Sequence, residues 1–177
     1  DVDWTDMSPR LAEQIGLVLH TKYCTEIAPK ETYVGVEVLC DQLEITDLGI
    51  ALTGTTDRIY KNASGKLGIA DVKTGKRAVD SKGKAVTKYH RAQMAVYELL
   101  AEHSIGKPLA APAKVIGLKT QGKAAVGTGV IRGAKAALVG SEHEAGLLER
   151  AAKLINSGDF YGNSRSFLCS PKYCPAY

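Results

Sequence analysis

The sequence lacks any run of about 18 apolar residues, the length that a membrane-spanning helix requires, and it shows no signal peptide. It has only four cysteines among 177 residues, too few and too scattered for a disulfide scaffold in a chain of this length. An initiator methionine is also missing, because the chain opens with "DVDWTDMSPR". We therefore expect a soluble protein of a reducing cytoplasm, and we expect that residue 1 is not where the translated protein begins.

The composition gives no sign of a second domain. Hydrophobic residues make up 45% of the chain and charged residues 24%, both near the globular average, and there is no internal repeat. A chain of 177 residues can bury most of the surface that its unfolded form would expose. The sequence predicts a single domain over residues 1–177, incomplete at its N-terminus, with a cysteine-containing tail at residues 164–177. Its net charge of +4 permits a polyanionic partner without requiring one.

The first half of the chain predicts one helix and three strands. The helix, over about residues 9 to 23, begins with Ser8 as its N-cap and Pro9 at its first position. Alternating and β-branched residues then fill the stretches "TYVGVEVLCDQLEI", "GIALTGTTDRIYKN" and "KLGIADVKTG". We predict that these three strands form an antiparallel meander, with a turn at "NASG" between the second and the third.

The second half of the chain predicts a helix, two strands and a last helix. The first of these helices has about 16 residues, with Thr87 as its cap and Gly106 after its end. Two strands then surround a Gln-Gly-Lys turn in "AKVIGLKTQGKAAVGTGVIR". The last helix falls in "SEHEAGLLERAAKLINSG", where Ser141 and Glu144 stand in the relation of a capping box.

The third predicted strand carries an acid and a lysine two residues apart, Asp71 and Lys73. Side chains two apart on a strand point to the same face and lie roughly 7 Å apart. That face also carries Leu67 and Ile69, so it is the side that we expect to face the core. A buried carboxylate is costly, and a neighbouring lysine offsets only part of the cost, whereas a bound divalent metal would account for the acid.

A second acid, Asp57, precedes Asp71 by 14 residues across the short turn, so pairing of the two strands would bring both acids to one end of a hairpin. With the backbone carbonyl of Val72, they would supply the hard oxygen ligands that Mg²⁺ or Mn²⁺ prefers. Lys73 would then lie beside the attacking water, an arrangement suited to phosphodiester hydrolysis. The alternative is a solvated hairpin, with Asp57 as a turn acid and Asp71 and Lys73 as an exposed pair.

Three stretches of the chain match a known pattern in the right order. "GTTDRI" matches a "G-x-x-D-R-I" strand, "IADVKTG" matches a strand with "D/E-x-K-T-G", and "QMAVY" matches a helix with "Q-x-x-x-Y". Over about residues 33 to 103 the chain thus resembles the PD-(D/E)XK nuclease superfamily, and within it the RecB-like branch of phage-type exonucleases and CRISPR-adaptation nucleases. Each stretch alone is weak, but the combination is specific.

The resemblance implies a nuclease domain of the α/β class, with a restriction-endonuclease-like core in which helices flank a mixed central sheet. It implies that Asp57 and Asp71 are metal ligands and that Lys73 is the catalytic lysine. Gln93 and Tyr97 lie four residues apart and therefore project from one helix face, which in the family helps to position the DNA backbone or the lysine. Core packing is the alternative for Tyr97.

One element of the family is not visible before Asp57. RecB-like nucleases usually carry a helical "G-x-x-x-H-x-x-x-E", whose histidine or glutamate completes the metal site. Either His20 or Glu37 would be a substitute, although His20 also fits a cap at the C-terminal end of a helix and Glu37 an exposed strand acid. A third interpretation places the usual element on residues that precede this chain, in which case the chain would cut poorly.

The cysteines raise a second metal hypothesis, because some relatives hold an iron–sulfur cluster with one early cysteine and three late ones. Only two late cysteines occur here, in a C-x4-C spacing, so the spacing departs from the family. A cluster, a zinc site and a reduced pair are less favoured than structural packing. The four thiols in question are Cys24, Cys40, Cys169 and Cys174.

Basic side chains crowd the stretch after the third strand, and they would neutralise phosphates without reading bases. The residues expected to bind DNA in this way are Lys76, Arg77, Lys88 and Arg91. We therefore predict a Mg²⁺- or Mn²⁺-dependent DNA exonuclease of a phage or prophage recombination system, acting in the bacterial cytoplasm. A structure-specific endonuclease and a non-cleaving DNA-binding or assembly module are the alternatives.

Two features of the sequence bear on partners other than DNA: the lack of an ATP-binding loop and the resemblance to RecB-like nucleases. No ATP-binding loop of the form G-x-x-x-x-G-K-[ST] occurs, so any helicase would be a separate chain. A recombinase or a single-strand annealing protein is the partner that the resemblance implies, and an oligomer is compatible with it. The sequence predicts no membrane partner.

Overall fold

A five-stranded mixed sheet forms the centre of the protein. A computed structural model describes residues 7–158. Strands β1 to β5 lie in their chain order, and only β3 and β4 run parallel to each other. The predicted meander and the order of elements are confirmed. The elements are α1 (Pro9–Lys22), β1 (Thr32–Ile45), β2 (Ile50–Lys61), β3 (Leu67–Gly75), α2 (Arg91–Ile105), β4 (Ala113–Lys119), β5 (Ala125–Ile131) and α3 (Leu147–Ser157).

Helix α1 covers one face of the sheet. The Leu11 N–H donates to the Ser8 hydroxyl at 3.3 Å, and proline follows the cap, as the sequence predicts. The helix runs directly into a π-helical turn at Tyr23–Ile27. Leu19 and Ile27 then pack into a core with residues of β2, β3 and β4. No helix in residues 7–158 combines the length and the hydropathy that crossing a membrane requires.

Helix α2 connects β3 to β4 and covers the opposite face. Its buried side chains include Met94, Ala95 and Leu100, which pack in one cluster with Ile69 of β3. The helix begins at Arg91, so the predicted cap at Thr87 is wrong. The carbonyl of Thr87 accepts a hydrogen bond from the His90 N–H at 3.1 Å, and this turn precedes the helix. His90 is the residue at the N-cap.

Helix α3 begins later than the capping box predicts. The Ser141 hydroxyl accepts a hydrogen bond from the Glu144 N–H at 3.2 Å, as in a capping box. The Ser141 N–H, however, donates to the Glu144 carbonyl at 2.8 Å, which closes a tight loop that a helix cannot contain. The chain becomes helical only at Leu147, after Gly146.

Glycines of β4 and β5 allow the loop between β3 and α2 to lie directly on the sheet. We call this segment, residues 76–90, the basic loop. A Cβ atom at Gly117 would come to 2.3 Å from the Ala78 carbonyl oxygen, and one at Gly127 to 2.4 Å from the Gly83 carbonyl oxygen. The basic loop is therefore held in place by close backbone contact.

Replacing Gly117 by alanine should destabilise the fold by about 1–3 kcal/mol, because a backbone segment must move to admit the methyl group. Gly16 offers a matched control, since it lies in α1 with nothing within 4 Å of its Cβ position. Gly16→Ala should stabilise the protein by about 0.5–1 kcal/mol through helix propensity. Urea unfolding measures both, and effects of equal sign would contradict this account of Gly117.

A buried acid on α2 makes stability depend on pH. Glu98 is 5% exposed, and burial raises its pKa to about 7; nearby Glu102 adds to the shift and Lys135 opposes it. Because the pKa is higher in the folded than in the unfolded protein, ionisation favours unfolding. At pH values below the ordinary pKa of a carboxyl group, Glu98 therefore does not lower the free energy of unfolding. The free energy of unfolding falls as the pH rises through about 7.

Replacing Glu98 by glutamine should remove this loss. We expect the variant to exceed the parent by about 1–3 kcal/mol in unfolding free energy at pH 8.5 and to match it near pH 4. Glu102→Gln is the matched control, because its carboxylate accepts a hydrogen bond from the Lys135 ammonium at 2.6 Å. That variant should be less stable than the parent at pH 8.5. A Glu98→Gln effect that is the same at both pH values would refute the assignment.

Candidate active site

The two predicted acids lie where β2 and β3 stop pairing. The β2–β3 register runs from Lys61 opposite Leu67 to Arg58 opposite Ala70, and Asp57 and Asp71 are the next residues on each strand. Beyond this point β3 pairs with β4 on its other side. The structure therefore brings both acids to one end of the hairpin.

The Asp57 side chain links β2 to β3 just beyond the last backbone pair of these two strands. The Val72 N–H donates to Asp57 Oδ2 at 2.8 Å, across 15 residues of sequence. The Asp57 carboxylate is thereby fixed to the strand that carries Asp71. The proximity of the two carboxylates also appears in the Asp71 pKa, which Asp57 helps to raise after the larger effect of burial.

Asp71 is almost completely buried, with 1% of the residue exposed. Its Oδ2 atom lies 2.9 Å from the Lys73 ammonium, and no other group among residues 7–158 donates a hydrogen bond to this oxygen. Burial raises the pKa of Asp71, and Lys73 opposes the rise. The exposed-pair alternative does not fit the burial of Asp71.

Lys73 lies between the buried acid and solvent. Its side chain is 25% exposed, while that of Asp71 is 2% exposed. One side of the ammonium thus neutralises the carboxylate, and the other can meet a substrate. An ion pair with one partner accessible to substrate suits a group that must stabilise charge on an incoming phosphate.

The helix residues of the predicted pattern touch each other. The Gln93 side-chain N–H donates to the Tyr97 hydroxyl at 3.0 Å. Tyr97 also packs at the margin of the core, 3.6 Å from the Cβ position of Gly54 on β2. Core packing and the polar contact are therefore both present at Tyr97, and Gly54 allows α2 to approach the strand that carries Asp57.

His90 is a residue near the acids that the sequence reasoning missed. It precedes Gln93 by three residues and Tyr97 by seven, which is the spacing of one helix face. Burial lowers the pKa of His90, the Lys73 charge adds to this effect, and Asp71 opposes it. The spacing with the "Q-x-x-x-Y" residues is the sequence feature that would have pointed to it.

His20 and Glu37 are not brought to the two acids. Glu37 is exposed on β1, with Oε1 at 3.4 Å from the Arg58 guanidinium. His20 lines a cavity of about 670 Å³ between α1 and the sheet and lies 3.6 Å from the Cys24 sulfur. Among residues 7–158, no three or more His, Cys, Asp or Glu side chains form a group that could hold a metal ion.

The two early cysteines lie in different surroundings. Cys24 is exposed and contacts His20, whereas Cys40 is buried in the core beneath α2. Structural packing therefore describes Cys40 but not Cys24. Cys169, Cys174 and the predicted tail lie outside the described residues, so the cluster and zinc hypotheses remain predictions.

Most of the basic side chains predicted to bind DNA face solvent. Lys76, Arg77 and Lys88 are exposed on the basic loop. The Arg91 guanidinium donates to the Gly133 carbonyl at 2.9 Å, so part of its donor capacity is used within the protein. The exposed lysines and arginine follow β3 immediately and leave their charge available for a polyanion.

The donor set at the two acids fits a hard divalent cation. Asp71 Oδ2 is a buried carboxylate oxygen whose one polar partner among residues 7–158 is the Lys73 ammonium, and the second carboxylate is fixed to the same strand by the Val72 N–H. A cation would balance the charge of two neighbouring acids of which Lys73 neutralises only one. Two protein carboxylates with several waters is a common way for Mg²⁺ to bind.

Comparisons with known proteins identify the family and the fold. The sequence model of the PD-(D/E)XK nuclease superfamily matches residues 4–176. Among solved structures, a protein of Eubacterium rectale titled "putative exonuclease" has a TM-score of 0.59 and 16% sequence identity, over 90% of this chain and 59% of that one. The chain thus spans less than two thirds of that protein. No curated protein matches the chain. The predicted fold, a mixed sheet flanked by helices with a restriction-endonuclease-like core, is confirmed.

Proposed function

The chain belongs to the PD-(D/E)XK nuclease superfamily, and on this premise we propose that it is a metal-dependent DNA exonuclease of the RecB-like, phage or prophage type. The observation that supports the proposal most is the group of Asp57, Asp71 and Lys73 at the end of the β2–β3 pairing. The reaction is hydrolysis of a phosphodiester bond. It would serve recombination or repair in the cytoplasm of a bacterial host.

Asp57 and Asp71 would hold Mg²⁺ or Mn²⁺, with the carbonyl of Val72 as a further oxygen ligand. When bound, such a cation polarises a phosphoryl oxygen and lowers the pKa of a water molecule beside it. The chain contributes the placement of the two acids. The burial of Asp71, whose charge only Lys73 among residues 7–158 offsets, and the Val72 N–H contact of Asp57 are the features that support this assignment.

Lys73 orients the attacking water or stabilises the negative charge that develops on the phosphate. Its ammonium is held 2.9 Å from Asp71 Oδ2 and is partly exposed, so it can do this without leaving its ion pair. Gln93, which bonds to Tyr97, lies on the helix face that would position the DNA backbone or the lysine. Tyr97 would act through Gln93 and through its packing.

The basic loop would hold the DNA strand. Lys76, Arg77 and Lys88 carry exposed positive charge on the segment that follows β3, and phosphate contacts give affinity without reading sequence. Arg91 would contribute less, since it already binds Gly133. Sequence-neutral binding of this kind suits an exonuclease better than a restriction enzyme. A recombinase or annealing protein as partner, and an oligomeric state, belong to the same proposal.

A second candidate function is a DNA-binding or assembly module that kept the fold and does not cut. It is favoured by the number of acids, because residues 7–158 bring only Asp57 and Asp71 together. Neither His20 nor Glu37 adds a third ligand there. The third candidate, a structure-specific endonuclease, would use the same residues on a different DNA.

Incubation with end-labelled linear DNA and closed circular DNA in Mn²⁺ separates the three. We expect mononucleotides from linear DNA and intact circles. Nicked circles would favour the endonuclease, and binding without cleavage of either DNA would favour the module. EDTA should stop the reaction, and cleavage that persists in EDTA would refute metal dependence.

A further inference from the structure

The start of α2 places a histidine beside the acids and the lysine. Strand β3, helix α2 and the parallel strand β4 form one crossover, so α2 begins near the end of β3 that carries Asp71 and Lys73. The residue at that start is His90. Its position is fixed on both sides, because its N–H donates to Thr87 at 3.1 Å and its carbonyl accepts from the Met94 N–H at 2.9 Å.

His90 shares a helix face with the residues of the family pattern. Positions 90, 93, 94 and 97 lie on one stripe, and Met94 of that stripe is completely buried against the cluster that contains Ile69 of β3. The stripe therefore follows the face of β3 on which Asp71 and Lys73 lie. The charges of Lys73 and Asp71 both act on the imidazole, which agrees with this placement.

The imidazole is not used by the fold. It is half-buried, and it makes no hydrogen bond within the part of the chain that the structure describes, in contrast to Gln93 and Tyr97. It also gives no side-chain cap to the helix. A half-buried polar ring without a partner, next to an acid pair and a lysine, has its hydrogen-bonding capacity left for a ligand.

We propose that His90 is a further phosphate-binding residue of the candidate nuclease site, donating a hydrogen bond from its imidazole to a non-bridging oxygen of the scissile phosphate. The inference rests on the proposed function. Asp71 and Lys73 approach the phosphate from β3, Asp57 approaches it from β2, and His90 approaches it from the start of α2. The first free N–H groups of α2 lie at the same place and favour negative charge there.

The test compares single-turnover cleavage of a short linear duplex in Mn²⁺ by the parent, His90→Ala and His90→Gln. Loss of one donor to a reacting phosphate should slow cleavage by roughly 10- to 100-fold in His90→Ala. His90→Gln keeps an N–H donor and should recover most of the rate. His103→Ala is the matched control, an exposed histidine in the last turn of the same helix, and should cleave like the parent.

Phosphorothioate DNA separates a phosphate contact from a structural role. Sulfur in place of the contacted oxygen should slow the parent markedly and His90→Ala much less, because the variant has already lost the donor. The other diastereomer should slow both equally. Equal sulfur effects in parent and variant for both diastereomers, or a His90→Gln rate as low as that of His90→Ala, would overturn the inference.

Two readouts keep this test apart from the test of the nuclease proposal. If the parent protein cleaves no DNA in Mn²⁺, the proposed function fails and the role of His90 fails with it. If the parent cleaves and His90→Ala cleaves equally fast, only the role of His90 fails. Melting temperatures of the variants must stay within about 3 °C of the parent, since the N-cap makes no side-chain bond that the change would remove.

Discussion

Replacing Lys73 by alanine is expected to reduce DNA cleavage by about 10²- to 10³-fold while DNA binding falls only a few-fold. The ammonium is the cation nearest to the reacting phosphate in the proposed site, and removal of a preorganised charge or donor commonly costs 10²- to 10³-fold in rate. Its loss also leaves Asp71, which is 1% exposed, without the ion pair at 2.9 Å. The rate is measured on end-labelled linear DNA in Mn²⁺.

Lys66→Ala gives the matched control for this change. Lys66 is an exposed lysine in the turn that precedes β3, and it has no part in the proposed site. The Lys66→Ala substitution removes one positive charge near the start of the same strand. Its effect on cleavage therefore measures the general loss of electrostatic attraction to DNA. If Lys73→Ala digests DNA as fast as Lys66→Ala, the assignment of Lys73 is wrong.

Most of the fold could be predicted from sequence because its elements are local. The β-branched alternation in β1 to β3, the Ser8–Pro9 helix start and the Gln-Gly-Lys turn each fix a short stretch of backbone. The prediction of Thr87 as the cap of α2 was wrong, and the sequence alone does not show why. The backbone carbonyl of Thr87 accepts a hydrogen bond from the His90 N–H in a turn before the helix, so His90 and not Thr87 is the N-cap.

The candidate site could be predicted in part. Strand parity placed Asp71 and Lys73 on one face, and hairpin pairing placed Asp57 beside them. The Val72 N–H contact could not be predicted, because it depends on where β2–β3 pairing ends and β3–β4 pairing begins. His90 was missed because a single histidine carries little information until the start of α2 is known.

Two buried acids, Glu98 on α2 and Asp71 on β3, differ in what surrounds them. Glu98 and Asp71 both have raised pKa values, and burial is the larger cause in each. The charges of Lys135 and Glu102 act on Glu98, and Arg132 lines the same cavity. Asp71 has a second acid, a lysine and a histidine around it, and it lies at the end of a strand pairing. A raised pKa alone therefore does not mark the site, whereas the position of Asp71 beside Asp57, at the end of the β2–β3 pairing, does.

Replacing Asp71 by asparagine should abolish the effect of metal on stability as well as cleavage. In the parent, a cation that binds only the folded protein at 100 times its dissociation constant adds about 2.7 kcal/mol, which raises the melting temperature by about 5–10 °C. Asparagine keeps the shape but removes the charge that the cation needs. The metal-free variant should be no less stable than the metal-free parent at pH 8, because burial raises the pKa of Asp71 and its ionised form is costly.

Melting curves with and without Mn²⁺ measure this, and Asp47→Asn is the matched control. Asp47 is an exposed acid in the short turn between β1 and β2, so its variant should keep the full Mn²⁺ shift and the full cleavage rate. A Mn²⁺ shift and a cleavage rate that both survive in Asp71→Asn would place the cation elsewhere in the chain. Loss of cleavage with an intact Mn²⁺ shift would assign Asp71 to the DNA and not to the metal, and the site would then depend on Asp57 alone.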